Sequence, residues 1–241
     1  MKATFQKLHL YFAAILGLIF GRAHHHQPPN FANIKALLLH LCDYDEAKCE
    51  WVLHWLAYPL RNPGAKMDMG LVVNGEAGTG KSLFFNTIMR QVYADNSVRA
   101  LDASQLHAGV HRWAGGARLA VFEGPFSKKN ATRLKELVTS MALQGAAIVG
   151  SGGRLVRKNR VNFVFLSTSS EFLPVLESDR RLAVLEVPPR HLPRFYLAVR
   201  AEIDNGGIEA FREYLMHGLD MGDFDQHTRP PADAAQRALA A

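Results

Sequence analysis

From residue 34 to residue 55 the apolar positions recur at helical spacing, in ALLLHLC and again in WVLHWLAYPL. An acidic stretch, Asp43, Asp45 and Glu46, lies between the two runs. The pattern predicts two helices, closed by the two prolines and the glycine of YPLRNPG (58–64). Beyond them the rhythm changes to short apolar runs at 71–73, 119–122, 161–166 and 182–187. Helical stretches lie between these runs, 83–93 and 131–143 among them. Strands alternating with helices predict an α/β fold, a parallel sheet sandwiched by helices. VNFVFLS is almost wholly apolar, as a strand covered on both faces must be. After Pro188-Pro189 two more helical runs follow, FYLAVRAEI and IEAFREYLMHGL, and then the polar tail FDQHTRPPADAAQ.

These shifts divide the chain into an apolar segment and linker (1–30), a helical lead-in (31–66), a core (67–225) and a polar tail (226–241). Within the first part, LHLYFAAILGLIFG (8–21) is apolar and preceded by Lys2 and Lys7. It resembles a targeting segment, yet it is shorter than the roughly 20 residues of a spanning helix. A packing helix or an ill-defined start remains the competing reading, and a nucleotide-dependent protein belongs in the cytoplasm. The 241 residues are 48% hydrophobic and 21% charged, as expected of a chain with a sizeable core. The formal net charge of +6 favours polyanionic partners without choosing between nucleic acid and an anionic membrane surface. Two cysteines, Cys42 and Cys49, form neither a disulfide framework nor a metal quartet and read as small buried apolar residues.

The densest chemistry lies in LVVNGEAGTGKS. An apolar run ends at Gly75-Glu76-Ala77-Gly78-Thr79-Gly80-Lys81-Ser82, and a helical stretch begins at once. This is the G-x-x-x-x-G-K-[ST] pattern in its strand–loop–helix setting. Glycines let backbone N–H groups face phosphates, lysine reaches the outer phosphates and the serine hydroxyl ligates Mg²⁺. The expected ligands are therefore ATP and Mg²⁺. The metal needs an acid at the end of a neighbouring strand, and LAVFEG offers Glu123. A second, water-activating acid is missing, because Gly124 follows; rescue of turnover by Gly124→Asp would show that its absence limits the chemistry. Polar residues after VFL place Thr168, with Ser169 close behind, where a side chain would sense the outer phosphate; turn capping is the alternative. Arg180 and Arg181, before the last apolar run, are candidates to act on a neighbouring subunit's nucleotide, and the alternative is an ion pair with Asp179. A glycine-rich turn at 150–153 precedes Arg154, Arg157, Lys158 and Arg160, a basic hairpin suited to nucleic-acid phosphates or simply a solvated loop.

The order of these features resembles the superfamily 3 helicases of the phage and plasmid primase-helicase type. WLAYPLRNPGAK, LKELVTS and SDRR with VLEVP carry the likeness alongside the phosphate loop. The resemblance implies an AAA+-like core, a hexameric homo-oligomeric ring and Mg-ATP hydrolysis between subunits. It also implies 3′-to-5′ movement on single-stranded DNA, with a separate primase or polymerase component as a further partner. Lys81 and Ser82 would bind phosphate and metal, Glu123 would be the metal-side acid, and Arg180 or Arg181 the finger. The chain departs from that family at Gly124, where a second acid is usual, and at Thr168, where asparagine is usual. A third departure lies near Gly150, where the family's hairpin lysine would fall. Loss of a water-activating carboxylate costs roughly two to four orders of magnitude in rate. Secure ATP binding with slow turnover is expected, and an ATP-binding assembly module is the alternative. A small-molecule kinase fits less well, since no lid segment is evident.

Overall fold

The computed structural model describes residues 30–108, 112–147, 154–169 and 179–231. The apolar run at 8–21 and the glycine-rich turn at 150–153 lie outside them. Helices α1 (Ala32–Leu41) and α2 (Glu46–Arg61) open the described chain. Asp45 caps α2, its carboxylate accepting from the Lys48 N–H at 3.0 Å. Helix α2 ends at Arg61, within the expected stop at 58–64, after running through Pro59. Burial of Trp55, Leu56 and Leu60 outweighs the one backbone bond, worth about 3 kcal/mol with its steric cost, that an interior proline removes.

Strands β1 (Gly70–Asn74), β2 (Val98–Asp102), β3 (Leu119–Glu123), β6 (Asn162–Ser167) and β7 (Leu182–Glu186) form one sheet in the order β2-β3-β6-β1-β7. All four pairings are parallel. Strand β2 was not signalled by periodicity: it is a short edge strand with only Val98 and Leu101 buried. Between β3 and β6 stand helix α4 (Ala131–Thr139) and a separate antiparallel ribbon of β4 (Ala142–Ala147) and β5 (Arg154–Lys158). The helix expected over 131–143 thus ends at Thr139, and its last residues join a strand. A short apolar run does not distinguish the two states, and here the pairing partner is β5, further along the chain.

Successive residues along each central strand enter different cores, as a sheet covered on both faces requires. Leu71, Val73, Leu119, Val121, Val164 and Leu166 pack with α1, α2 and the chain after β7. Val72, Ala120, Phe122, Phe163, Phe165 and Leu182 pack on the other side with Leu134, Leu137 and Val138 of α4. The lead-in helices therefore share a continuous core with the sheet. Helix α3, residues 81–92, follows β1, with π-helical turns over Leu83–Ile88 continuing into Met89–Val92. Helix α5 (Pro193–Glu202) leads through a bend at Asn205 and Gly206 to α6 (Ile208–Glu213). No described helix is long and apolar enough to cross a membrane.

Because the five strands are parallel, everything that follows a strand gathers at one edge of the sheet and everything that precedes one gathers at the other. Residues 75–82, Glu123, Thr168 and 187–191 fall at the first edge. The stretches before β1, β6 and β7 fall at the second. In open parallel sheets ligands bind outside the carboxyl ends of the strands.

Candidate functional site

At the carboxyl edge the turn Gly75–Ser82 wraps back over β1. The Gly75 N–H donates to the Ser167 carbonyl at 3.1 Å, tying the loop to β6. Gly80 adopts φ +95°, and a Cβ there would sit 2.6 Å from Cδ1 of Leu37 and 3.2 Å from Cε1 of Tyr196. Glycine is required on both counts, backbone conformation and space. Within the loop the Thr79 hydroxyl donates to the Glu76 carbonyl at 3.0 Å.

Lys81 turns into this loop. Its ammonium donates to the carbonyls of Gly75 (2.6 Å) and Glu76 (2.8 Å) and to Thr79 Oγ1 (3.1 Å), which uses all three of its protons. Burial lowers its pKa, opposed by the negative charges of Glu123 and Glu76. A cation kept partly desolvated beside an open cavity is well placed to gain from an incoming anion.

Glu123 ends β3 one turn away. Its Oε1 accepts from Ser82 Oγ at 2.5 Å and its Oε2 from Asn86 Nδ2 at 2.9 Å. The carboxylate is thereby held between the first two turns of α3. A carboxylate oxygen and a serine hydroxyl in contact form a hard oxygen pair, and Mg²⁺ is held by one or two such groups plus substrate phosphates. No cluster of three or more metal-binding His, Cys, Asp or Glu side chains occurs among the described residues. The donor set thus suits a cation shared with a phosphate ligand.

Residues 77–83, Glu123, Gly124, Leu166 and Thr168 line a cavity of about 360 Å³, closed on its far side by Tyr196 and Arg200 of α5. Thr168 is exposed toward solvent. Its neighbours are occupied: Ser167 Oγ accepts from the Ser169 N–H at 3.0 Å and donates to the Ser169 carbonyl at 3.1 Å. That turn presents Thr168 at the cavity and spends Ser167 and Ser169 on the backbone. Among the described residues lining the cavity Glu123 is the one carboxylate. Gly124 has φ +148°, and a Cβ on it would stand 2.8 Å from Cβ of Ala103. An aspartate at 124 would carry backbone strain and a close contact with Ala103. The backbone is shaped for glycine here.

A second pocket, about 570 Å³, continues from the first through Gly78, Tyr196 and Arg200. Leu192 and Leu197 line it at 62% and 64% exposure, which is exceptional for large apolar side chains in this molecule. Glu76 braces this side, its Oε1 accepting from the Arg190 N–H at 2.8 Å. Arg190, Tyr196, Arg200 and Asn86 escaped the sequence reading. Each lies on a helix or loop remote in sequence from the glycine motif, or, for Asn86, one turn beyond it. The one available signal was the basic helix after Pro188-Pro189.

The remaining candidates sit at the opposite edge. Arg181 is bound by both carboxylate oxygens of Asp179 (2.8 and 2.7 Å), and Lys135 of α4 meets the same carboxylate at 2.9 Å. Arg181, aided by Lys135, holds the Asp179 carboxyl well below the usual carboxylate range. Arg180 is exposed, and its guanidinium makes no ion pair among the described residues. Arg157 and Lys158 stand exposed on β5, with Arg160 just after it; Arg154 lies on the same strand, its side chain outside the described set. Cys42 and Cys49 are free thiols, both buried.

The family model of the virulence-associated protein E-like domain matches residues 33–214. Among solved structures, the A-form apo structure of the NrS-1 C-terminal region is similar at a TM-score of 0.67 and 19% identity, over 86% of this chain and 50% of that one. The apo structure of NrS-1 residues 305–718 is similar at a TM-score of 0.63 and 20% identity, over 78% of this chain and 46% of that one. This chain spans about half the length of those structures, and at such identity the likeness is one of fold. No curated protein matches it.

Proposed function

The chain belongs to the virulence-associated protein E-like domain family. From that membership and the carboxyl-edge geometry we propose that it is a Mg²⁺-dependent ATPase acting on single-stranded DNA in the replication of a phage or other mobile element. In this reading its core is an AAA+-like phosphate-loop ATPase of the superfamily 3 helicase type, working as a ring. The observation that carries the reading is the grip of Glu123 on Ser82 and Asn86, directly beside the buried Lys81 ammonium. A turn made only for structure has no use for a desolvated cation and a strand-end carboxylate converging on one cavity.

The loop N–H groups and Lys81 take the β- and γ-phosphates, the lysine exchanging loop carbonyls for phosphate oxygens. Ser82, with Glu123 behind it, would hold Mg²⁺, which would supply charge neutralisation for the outer phosphates. Thr168 donates to the γ-phosphate or to the attacking water. Arg200 reaches the same phosphate from α5, within the same subunit. The base and ribose occupy the adjoining pocket against Leu192 and Leu197.

One observation favours a second reading. Among the described residues Glu123 is the one carboxylate at the cavity, already engaged by Ser82 and Asn86, and a side chain at Gly124 is strained, so no second described acid serves as a general base. An ATP-binding assembly module would bind nucleotide and turn it over slowly. Phosphate release by purified protein, with and without single-stranded DNA, separates the two. The ATPase reading expects Mg²⁺-dependent release that DNA stimulates and that Lys81→Ala lowers by roughly a hundredfold or more. Tight nucleotide binding with no release under either condition would leave the assembly module standing.

A further inference from the structure

Another depression lies away from the glycine loop. A cleft of about 1110 Å³ opens at the opposite edge, between the turn leading into β1, the base of the β4–β5 ribbon, the turn before β7 and the polypeptide after α6. Its cations outnumber its acids, and the acids are already engaged. Asp68 accepts from His227 at 2.7 Å, and Asp179 is shared by Arg181 and Lys135. Lys66, Lys158, Arg180 and Arg229 face the cleft with no ion pair to a carboxylate among the described residues.

Two of these cations are fixed in place. Lys66 donates to the Val161 carbonyl at 3.1 Å and lies over the Phe163 ring, 4.9 Å from its centroid. Burial pushes its pKa down to about 8, against the pull of Asp68, so an anion in the cleft would relieve a poorly solvated charge. Arg229 is held by the Arg180 carbonyl, and both residues line the cleft. Lys158 belongs equally to the cleft and to the basic ribbon, where Arg157 and Arg160 are also exposed. Met141, 73% exposed, adds an apolar ledge at the same margin.

We propose that this cleft binds the sugar–phosphate backbone of single-stranded nucleic acid, on Lys66, Lys158, Arg180 and Arg229, as the continuation of the ribbon's basic track. The volume is about three times that of the glycine-loop cavity, and the cations come from four separate chain segments. That distribution suits phosphates repeated along a polymer with bases resting on an apolar ledge, rather than the compact triphosphate of one nucleotide. The inference rests on the proposed function only in naming DNA as the polymer.

The test is fluorescence anisotropy of a labelled oligothymidylate over a salt series. It compares Arg180→Glu, Arg229→Glu and their combination with Arg194→Glu, an equal charge change at an exposed site on α5 outside the cleft. Binding of a fluorescent ATP analogue by each variant monitors folding and the carboxyl edge. Each cleft reversal is expected to weaken oligothymidylate binding about tenfold or more and to flatten the log K against log salt slope by about one. Arg194→Glu and nucleotide binding should be unchanged. The proposal is overturned if the cleft variants match Arg194→Glu, or if they lose DNA-stimulated turnover while keeping the salt slope, which would assign the cleft to a neighbour's nucleotide. Wild-type protein that fails to bind oligothymidylate would overturn the DNA part of the proposed function as well. Wild-type binding indifferent to the cleft charges would overturn this inference alone.

Discussion

The two edges of the sheet are built on opposite electrostatic plans. At the carboxyl edge the two charged groups nearest the loop have their partners in hand: Lys81 makes three hydrogen bonds inside the loop, and Glu123 is divided between Ser82 and Asn86. At the other edge the acids are neutralised and the surplus is positive, with Arg180 and Lys158 standing free in a wide cleft. A satisfied, close-fitting constellation serves chemistry, where atoms must be placed to a fraction of an ångström. A spread of unpaired cations serves a polyanion, which asks for charge density and tolerates imprecise geometry. The difference teaches which mutations should be all-or-none and which graded.

The largest effect is expected at the tight edge. Glu123→Gln keeps size and shape but removes the charge that holds Ser82 and would face the cation. Turnover should fall by roughly two to three orders of magnitude, measured as phosphate release, while the salt slope of DNA binding stays as in wild type. Equal losses of both activities would erase the division between the edges. Gly124→Asp sharpens the same point. It should cost about 1–3 kcal/mol of stability through backbone strain and contact with Ala103, seen as a lowered Tm, with no gain in phosphate release. A clear rise in turnover would show that the backbone yields and that the missing acid alone limits the reaction.

The smallest effect concerns the rim of the carboxyl edge. His40 is fully buried, its Nε2 has no partner, and its Nδ1 lies 3.1 Å from the Tyr44 hydroxyl, which also meets His191 at 2.5 Å. Burial, reinforced by His191 and opposed by Asp43, lowers its pKa from 6.5. A lowered folded pKa means that the unfolded chain binds more protons in that window, so stability rises with pH there. Acidification below about pH 6.5 should therefore erode stability, and His40→Phe should flatten that part of the curve in thermal melts. An acid limb identical in wild type and variant would remove His40 from the account.

Much of the fold was legible because its signals are local. Four of the five sheet strands announced themselves as short apolar runs, and the run at 161–166 was displaced by a single residue from β6. Strand β2 was not, since an edge strand with two buried residues leaves almost no hydrophobic trace. The helix expected through residue 143 ends early, and α2 continues through Pro59, for a shared reason. Pairing with β5 and burial of Trp55 and Leu60 are long-range gains that outweigh local propensity.

For the site, the contiguous motif from Gly75 to Ser82 and the strand-end Glu123 could be read directly, because phosphate and metal chemistry demand those residue types at that spacing. By itself the sequence determined the parallel α/β plan, the glycine loop, the acid that follows β3 and the overall positive charge. Only the tertiary structure decided which of the remaining polar residues stand together. It brought Tyr196 and Arg200 across to the loop, spent Arg181 on Asp179 and left Arg180 open. It also gathered Lys66, Lys158, Arg180 and Arg229, more than 160 residues apart at their extremes, into one cleft. The physical reason is the parallel sheet itself. It sorts every connection to one of two edges, and which connections become neighbours depends on strand order, a property of long-range packing that no local pattern encodes.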